Sequence, residues 1–266
     1  MTTVSDVHDC LNRFAPMEMK MDFDNVGHLV GNKDTIVTKI LVALDITDDV
    51  ITESNELETE VIVSHHPLFF SIKNVTDSDL IGKKIMRLVR SGQSAICMHT
   101  NLDAARGGVN DALARAAGIA DRREAELLTM RDRLPSGEVY SFGRVGCLEC
   151  PCSMQEYLER LKKSLKTNGL RYHDAGRDVY KVAVVGGSGG DDFQNAVRQD
   201  CDTFITADIK YNLFLDAKEL GINLIDGDHF CTENLVTGVL FEKLSEAFPE
   251  IETIVSTVHS QTVKFY

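Results

Sequence analysis

No stretch of about 18 apolar residues occurs in this chain of 266 residues, which excludes a membrane-spanning helix. The opening residues, MTTVSDVHDCLNRF, carry early acids and lack the apolar core of a signal peptide, so a cytoplasmic protein is expected. Basic residues are scarce. Lys and Arg number 28 against 41 Asp and Glu, a net charge of -13, and this argues against a surface that neutralises many phosphates of a nucleic-acid duplex. A small basic pocket remains compatible with that charge. The seven cysteines are odd in number and irregularly spaced, which excludes a regular disulfide framework and fits reduced thiols. Low-complexity tracts and short-period repeats are also missing. What is present is ordinary globular composition, 43% hydrophobic and 26% charged. At roughly 150 residues per domain the length suits one large or two medium domains.

Apolar spacing supplies the elements. Val4, Val7, Leu11 and Phe14 predict a short opening helix, with Ser5 or Asp6 as possible caps. The apolar run Ile40 to Leu44, a helical stretch from Thr47 to Glu58 and a second run at Val61 to Val63 read as a βαβ unit of a parallel sheet. A helix from about Asp79 to Ser91, stopped by Gly92, leads to a strand at Ser94 to Met98. Another helix spans Asn110 to Ala117. The charge-rich segment from Asp121 to Gly137 is the expected linker. Beyond it lie a strand from Val139, a turn at Cys150-Pro151, a helix from Met154 to Leu165 and a strand from Tyr180 to Val185. A glycine-rich turn, a helix around Phe193 to Val197, strands at Thr203 to Thr206 and Ile222 to Ile225, a helix from about Thr232 to Phe248 and a strand at Thr253 to Ser256 complete the pattern. The fold class expected is α/β, in two interlinked domains with largely parallel, helix-covered sheets. Residues 1–125 plus 229–266 are expected to form a metal-binding domain and residues 126–228 a second one.

Three strand ends carry chemistry-bearing residues, which is where open α/β sheets present ligands. Ser64-His65-His66-Pro67 follows the run Val61 to Val63. Adjacent strand residues point to opposite faces, so both imidazoles serve one site only if the backbone turns there or each binds its own ion. Pro67 holds His66 extended. His99-Thr100-Asn101-Leu102-Asp103 follows the strand ending at Met98, and Asp103 is either a ligand or a cap of the Gly107-Gly108 turn or of the following helix. Asp226 to Glu233 follows the strand ending at Ile225. His229 and Glu233 share one helix face if the helix starts at or just before His229. Alternatively, Asp228 or Thr232 is an N-cap and Glu233 a first-turn acid, which leaves His229 unexplained. Five such ligands suit two divalent ions better than one. A pair about 3.5 to 4 Å apart lowers the pKa of a bridging water towards about 7.

Two further motifs point less far. Cys147, Cys150 and Cys152 contain a C-x-x-C core, yet no second Cys/His pair follows at zinc-knuckle spacing. The run Gly186 to Gly190 (GGSGG) sits where a phosphate-cradling loop would, but without G-x-G-x-x-G spacing or a P-loop lysine. A tight strand-to-helix turn accounts for it, with anion binding as the alternative.

Taken together, FDNVG (Phe23 to Gly27), SHHPLFF (Ser64 to Phe70), HTNLD (His99 to Asp103), GGSGG and DHFCTE (Asp228 to Glu233) resemble the YbgI-like family of dinuclear metal proteins, whose members are often labelled GTP cyclohydrolase 1 type 2 homologs. The resemblance runs in order over nearly the whole chain. It implies that His65, His66, Asp103, His229 and Glu233 ligate two divalent ions, with zinc, iron, manganese and nickel all compatible. It also implies a ring-shaped homohexamer and a small-molecule substrate. Phe23 stands where relatives usually have Trp, His28 where they have Leu, and Asn212 where they have His. Asp24, Asp45, His99 and Asp208 are expected beside the ligands or substrate, with His99 and Asp208 as proton-handling catalytic groups. Two functions compete: a metal-dependent hydrolase of a nucleotide-like or phosphorylated substrate, and a non-catalytic metal carrier or regulatory scaffold. A nucleotide-binding module built on GGSGG is a third.

Overall fold

The computed structural model describes residues 1–119, 126–128 and 132–266. Residues 120–125 and 129–131, which hold much of the expected linker, lie outside the described residues. In chain order the strands are β1 (Gly27–Val30), β2 (Lys39–Ala43), β3 (Val61–Ser64), β4 (Ser94–Cys97), β5 (Glu126–Leu127), β6 (Asp132–Arg133), β7 (Val139–Tyr140), β8 (Arg144–Cys152), β9 (Arg171–His173), β10 (Val179–Val184), β11 (Thr203–Thr206), β12 (Asn223–Asp226) and β13 (Glu252–Val255). The helices are α1 (Val4–Phe14), α2 (Asp48–Glu56), α3 (Leu80–Arg90), α4 (Thr100–Ala104), α5 (Val109–Ala116), α6 (Met154–Leu165), α7 (Phe193–Arg198), α8 (Tyr211–Leu220), α9 (His229–Glu233) and α10 (Leu235–Ala247). Packing divides them into two compact units: Met1–Ala105 with Val236–Ser260, and Arg106–Leu235 with Gln261–Tyr266.

The first unit is built on a sheet of order β1-β4-β3-β2-β13. Its last four strands run parallel and β1 joins antiparallel at the edge. The β2 run KILVA and the β3 run VIVS are apolar at successive positions because both faces are covered. Leu41, Ala43, Ile62 and Ala95 pack on one face with Val50 and Ile51 of α2 and Ile85 and Leu88 of α3, while Ile40, Val42, Val61 and Val63 of the other face are as fully buried. Thr3 and Asp6 form a reciprocal capping box at α1, and Asp79 caps α3.

The second unit has a sheet of order β5-β8-β10-β11-β12-β9. β10, β11 and β12 are parallel, and β8 and β9 flank them antiparallel. Strand alternation splits the core. Val182, Val184, Ile205 and Ile225 pack towards α5 and α6, whereas Ala183, Val185, Phe204 and Leu224 pack towards Phe193 and Ala196 of α7 and Ala217 of α8. The expected turn at Cys150-Pro151 is instead a register shift within β8: Cys147 pairs with Lys181 and Cys152 with Val179, so the residues between them bulge. The expected helix from Thr232 to Phe248 is two helices, α9 and α10, broken at Asn234. The mixed α/β fold with parallel-rich sheets is thus as expected, with β1, α4, β5, β6, β9 and α8 added.

Candidate metal centre

In the first unit, β3 and β4 end side by side, and the backbone turns after Ser64, whose hydroxyl donates to the His66 carbonyl at 2.8 Å. The turn lets adjacent imidazoles face one another instead of opposite sides of the sheet. Ring centroids of His65 and His66 lie 4.9 Å apart, and His99 joins them at 5.2 and 5.5 Å. One ring nitrogen of each histidine lies within 4.8 Å of those of the other two.

Every Nδ1 in this group has a defined partner. His65 Nδ1 donates to the Met98 carbonyl at 2.8 Å, His66 Nδ1 to Asp45 at 2.7 Å and His99 Nδ1 to Asp24 at 2.8 Å. A carbonyl and an ionised carboxylate can only accept, so these partners put the proton on Nδ1 and the lone pair on Nε2. Such backing fixes the tautomer and orientation of metal-binding imidazoles. Asp103 lies within α4, its Oδ1 3.5 Å from His65 Nε2. At the glycine turn that follows, Asp111 accepts from the Gly107 amide at 2.7 Å.

The backing acids are themselves held. Burial would raise the Asp24 carboxyl, but bonds from His99, the Thr100 hydroxyl and the Thr100 amide (2.9 Å) hold it well below the carboxylate range. Asp45 is held low in the same way, against burial, by His259 at 2.6 Å and by His66. His259 was not anticipated. It is an isolated histidine near the chain end, with no motif around it, and only the fold of the C-terminal segment brings it to Asp45.

In the second unit, β12 ends in a turn that starts α9. Asp228 caps α9 through the Cys231 amide at 3.1 Å, and its backbone is left-handed (φ 71°). His229 Nε2 and Glu233 Oε2 are 3.0 Å apart one helical turn on, as the spacing predicts, and Asp208 Oδ2 lies 2.7 Å from His229 Nδ1. Burial would depress the His229 pKa, but Glu233 and Asp208 raise it to about 9. Two ligand atoms that share a proton at this distance also suit a shared cation. The GGSGG run makes the arrangement possible. At Gly187 (φ 61°) a Cβ would fall 2.1 Å from Glu233 Oε1 and 3.2 Å from His229 Cε1. Three of the run's amides, those of Gly186, Gly187 and Gly189, donate to Asn110, Thr232 and Thr206 at 2.9, 3.1 and 2.8 Å. The run therefore supports Glu233 as a turn, and these amides are committed within the protein.

Imidazole nitrogens with fixed tautomers, together with carboxylates, form a donor set that fits divalent first-row ions. No cysteine belongs to a group of converging ligand atoms among the described residues. No described helix is long and apolar enough to cross a membrane.

Two α/β units with His/carboxylate groups at strand ends define a class of possible metal-binding protein. Residues 2–262 match the model of the Duf34/NIF3 (NGG1p interacting factor 3) family, and the chain belongs to that family. A Clostridium perfringens (strain 13 / Type A) protein named GTP cyclohydrolase 1 type 2 homolog is 36% identical over 256 residues, 95% of each chain. Among solved structures, a Bacillus cereus protein related to NIF3 superposes with a TM-score of 0.92 at 21% identity, covering 100% of this chain and 99% of its own. A protein ybgI, described as of unknown function, gives 0.82 at 20% identity and covers 97% and 99%. At these identities the two structures establish the fold.

Proposed function

We propose that this protein binds two divalent ions through His65, His66, Asp103, His229 and Glu233, and acts as a metal-dependent hydrolase, of cyclohydrolase or phosphoester type, on a small nucleotide-like substrate. One observation carries the reading: three imidazoles converge, and each has its Nδ1 tied to a carboxylate or carbonyl, which leaves the Nε2 lone pairs of His65 and His66 for an ion. Bound there, divalent ions would supply an acidified water and positive charge for an electrophile. The remaining steps belong to the chain. His99, its Nδ1 proton committed to Asp24, offers Nε2 as a proton acceptor. Asp208, half exposed, holds the His229 ring through Nδ1. Zinc, iron, manganese and nickel all suit the ligands. The proposal includes a homohexamer, as the family resemblance implies, and a cytoplasmic location, as expected from the sequence.

Turnover separates this reading from a metal carrier. Protein purified without chelator, assayed against nucleotides and phosphoesters, should lose activity in Asp103→Ala and on chelation. Activity that persists in metal-free protein would overturn the hydrolase assignment, and tight metal binding with no turnover would support the carrier. Sizing at native salt should give a species far heavier than the 29.5 kDa monomer, and a monodisperse monomer would remove the hexamer.

A further inference from the structure

Beside the imidazole group of the first unit stand two largely exposed phenylalanines. Phe23 is 63% and Phe70 54% exposed. Single exposed apolar side chains are ordinary on a protein surface. These two are paired, with ring centroids 6.1 Å apart and planes at 54°, and the Phe70 ring lies 5.9 Å from that of His99.

The backbone that presents them is pinned at many points. Asn25, two residues after Phe23, donates from Nδ2 to the Phe69 carbonyl at 2.8 Å and so ties one loop to the other. Asp24 accepts from His99 and Thr100, Lys20 Nζ donates to the Asp24 carbonyl at 3.1 Å, and the Met21 amide donates to the Thr100 hydroxyl at 2.9 Å. The bonds that orient His99 therefore also fix the loop carrying Phe23. A rigid rim that displays two aromatic faces next to a polar, ligand-rich group is shaped for a small molecule with a flat ring and a polar reacting end. The two rings pack against each other at a tilt and remain more than half exposed, so their outer faces are open to offset or edge contacts with a planar ring.

We propose that Phe23 and Phe70 form the stacking platform for the substrate's planar nitrogen heterocycle, a nucleobase or a close relative of one. This deepens the proposed function and rests on it for the polar end of the same substrate. Stacking is tolerant of base identity because every base has a π-face. The platform therefore selects for a flat ring in general, and its neighbours select the reacting group.

The chain contains no tryptophan, so Phe23→Trp places a single fluorescent reporter on the platform while keeping an aromatic face there. This variant is titrated with AMP, GMP, CMP and UMP, and with ribose 5-phosphate as the ring-free control; wild-type affinities are measured by calorimetry. The nucleotides should quench the tryptophan saturably and bind wild type more tightly than ribose 5-phosphate does. Adding Phe70→Ala should weaken nucleotide binding by about tenfold, the scale of one lost stacking contact, with ribose 5-phosphate and metal content unchanged. Both phenylalanines are exposed, so these variants should fold, and circular dichroism checks that they do. The platform is overturned if all four nucleotides bind no better than ribose 5-phosphate, or if Phe70→Ala binds them as before. It is equally overturned if the substitutions change the oligomer on sizing while leaving nucleotide binding intact, which would make the pair a contact between copies. Metal analysis of the same samples keeps the two readings apart: ring-dependent binding by protein that takes up no metal would sustain the platform and end the dinuclear assignment.

Discussion

At the scale of single residues, the acids that orient imidazoles are the most informative to change. Asp45 accepts from both His66 and His259, so Asp45→Asn removes one acceptor and forces a ring to flip, retautomerise or lose its bond. Loss of a partner that orients a metal-binding His typically costs about 10–100-fold in affinity. Competition with a fluorescent chelator should show a drop of that size, and an unchanged affinity would mean that His66 is not a ligand. A second residue-scale test lies away from the site. Arg144 is fully buried and donates to both Asp111 oxygens at 2.9 Å. Asp111→Asn leaves that guanidinium charge without its counter-ion and should cost about 3 kcal/mol in urea unfolding at pH 7. Burial alone would raise the Asp111 pKa, but Arg144 and the Gly107 amide outweigh it and hold the carboxyl below its ordinary value. The folded pKa is thus depressed, so the stabilisation is complete above the unfolded-state carboxylate value and is lost as pH falls through the lower folded one. The gap between wild type and Asp111→Asn should accordingly narrow below about pH 4. A gap that widens on acidification would contradict the pairing.

At the scale of elements, much was legible because the strands are buried on both faces and read as short apolar runs. The helix read from Met154 to Leu165 forms over those residues, and the structure adds a reciprocal capping box between Ser153 and Glu156. Edge elements were harder. β9 (RYH) is largely exposed and carries no apolar run, and β1 follows a loop whose meaning lies in Asp24 and Asn25. The single-helix reading of the last segment failed at Asn234, because apolar periodicity resumes after the break. The glycine run was legible as a turn, but not what it supports: nothing local in GGSGG reveals that a carboxylate 43 or more residues later needs the missing Cβ. Gly187→Ala tests this. A left-handed alanine costs about 1–2 kcal/mol wherever it occurs, whereas displacement of Glu233 is specific to this position. Gly221 is a matched control, with φ 64° and open space where a Cβ would be. Both alanine variants should lose similar backbone stability in urea, and Gly187→Ala alone should also lose metal affinity. Equal metal affinity in the two would show that the Gly187 turn does not position a ligand.

At the scale of the whole molecule, the proposed ligands are divided by the chain's organisation. His65, His66 and Asp103 belong to one compact unit, and His229 and Glu233 to the other. Sequence could place each cluster at a strand end, because the local signal is an apolar run followed by His or a carboxylate. Whether the clusters serve common ions is a property of the assembled chain, and metal-linked stability tests it. An ion that binds only the folded protein stabilises it by RT ln(1 + [L]/Kd), about 2.7 kcal/mol at one hundred times Kd. If both units hold the same ions, chelation should lower the melting of the two units together, and Glu233→Ala should remove most of the metal-induced gain although three proposed ligands remain in the other unit. Elemental analysis of wild type should approach two ions per chain. Losing Glu233 should lower occupancy of both sites jointly, since two like-charged ions about 4 Å apart repel more strongly with one carboxylate fewer between them. Calorimetry in which Glu233→Ala abolishes stabilisation of one unit and leaves the other's intact would show independent sites. Wild-type protein that binds no metal after incubation with zinc, manganese, iron and nickel would refute the metal centre, and the tied imidazoles would then be a structural cluster.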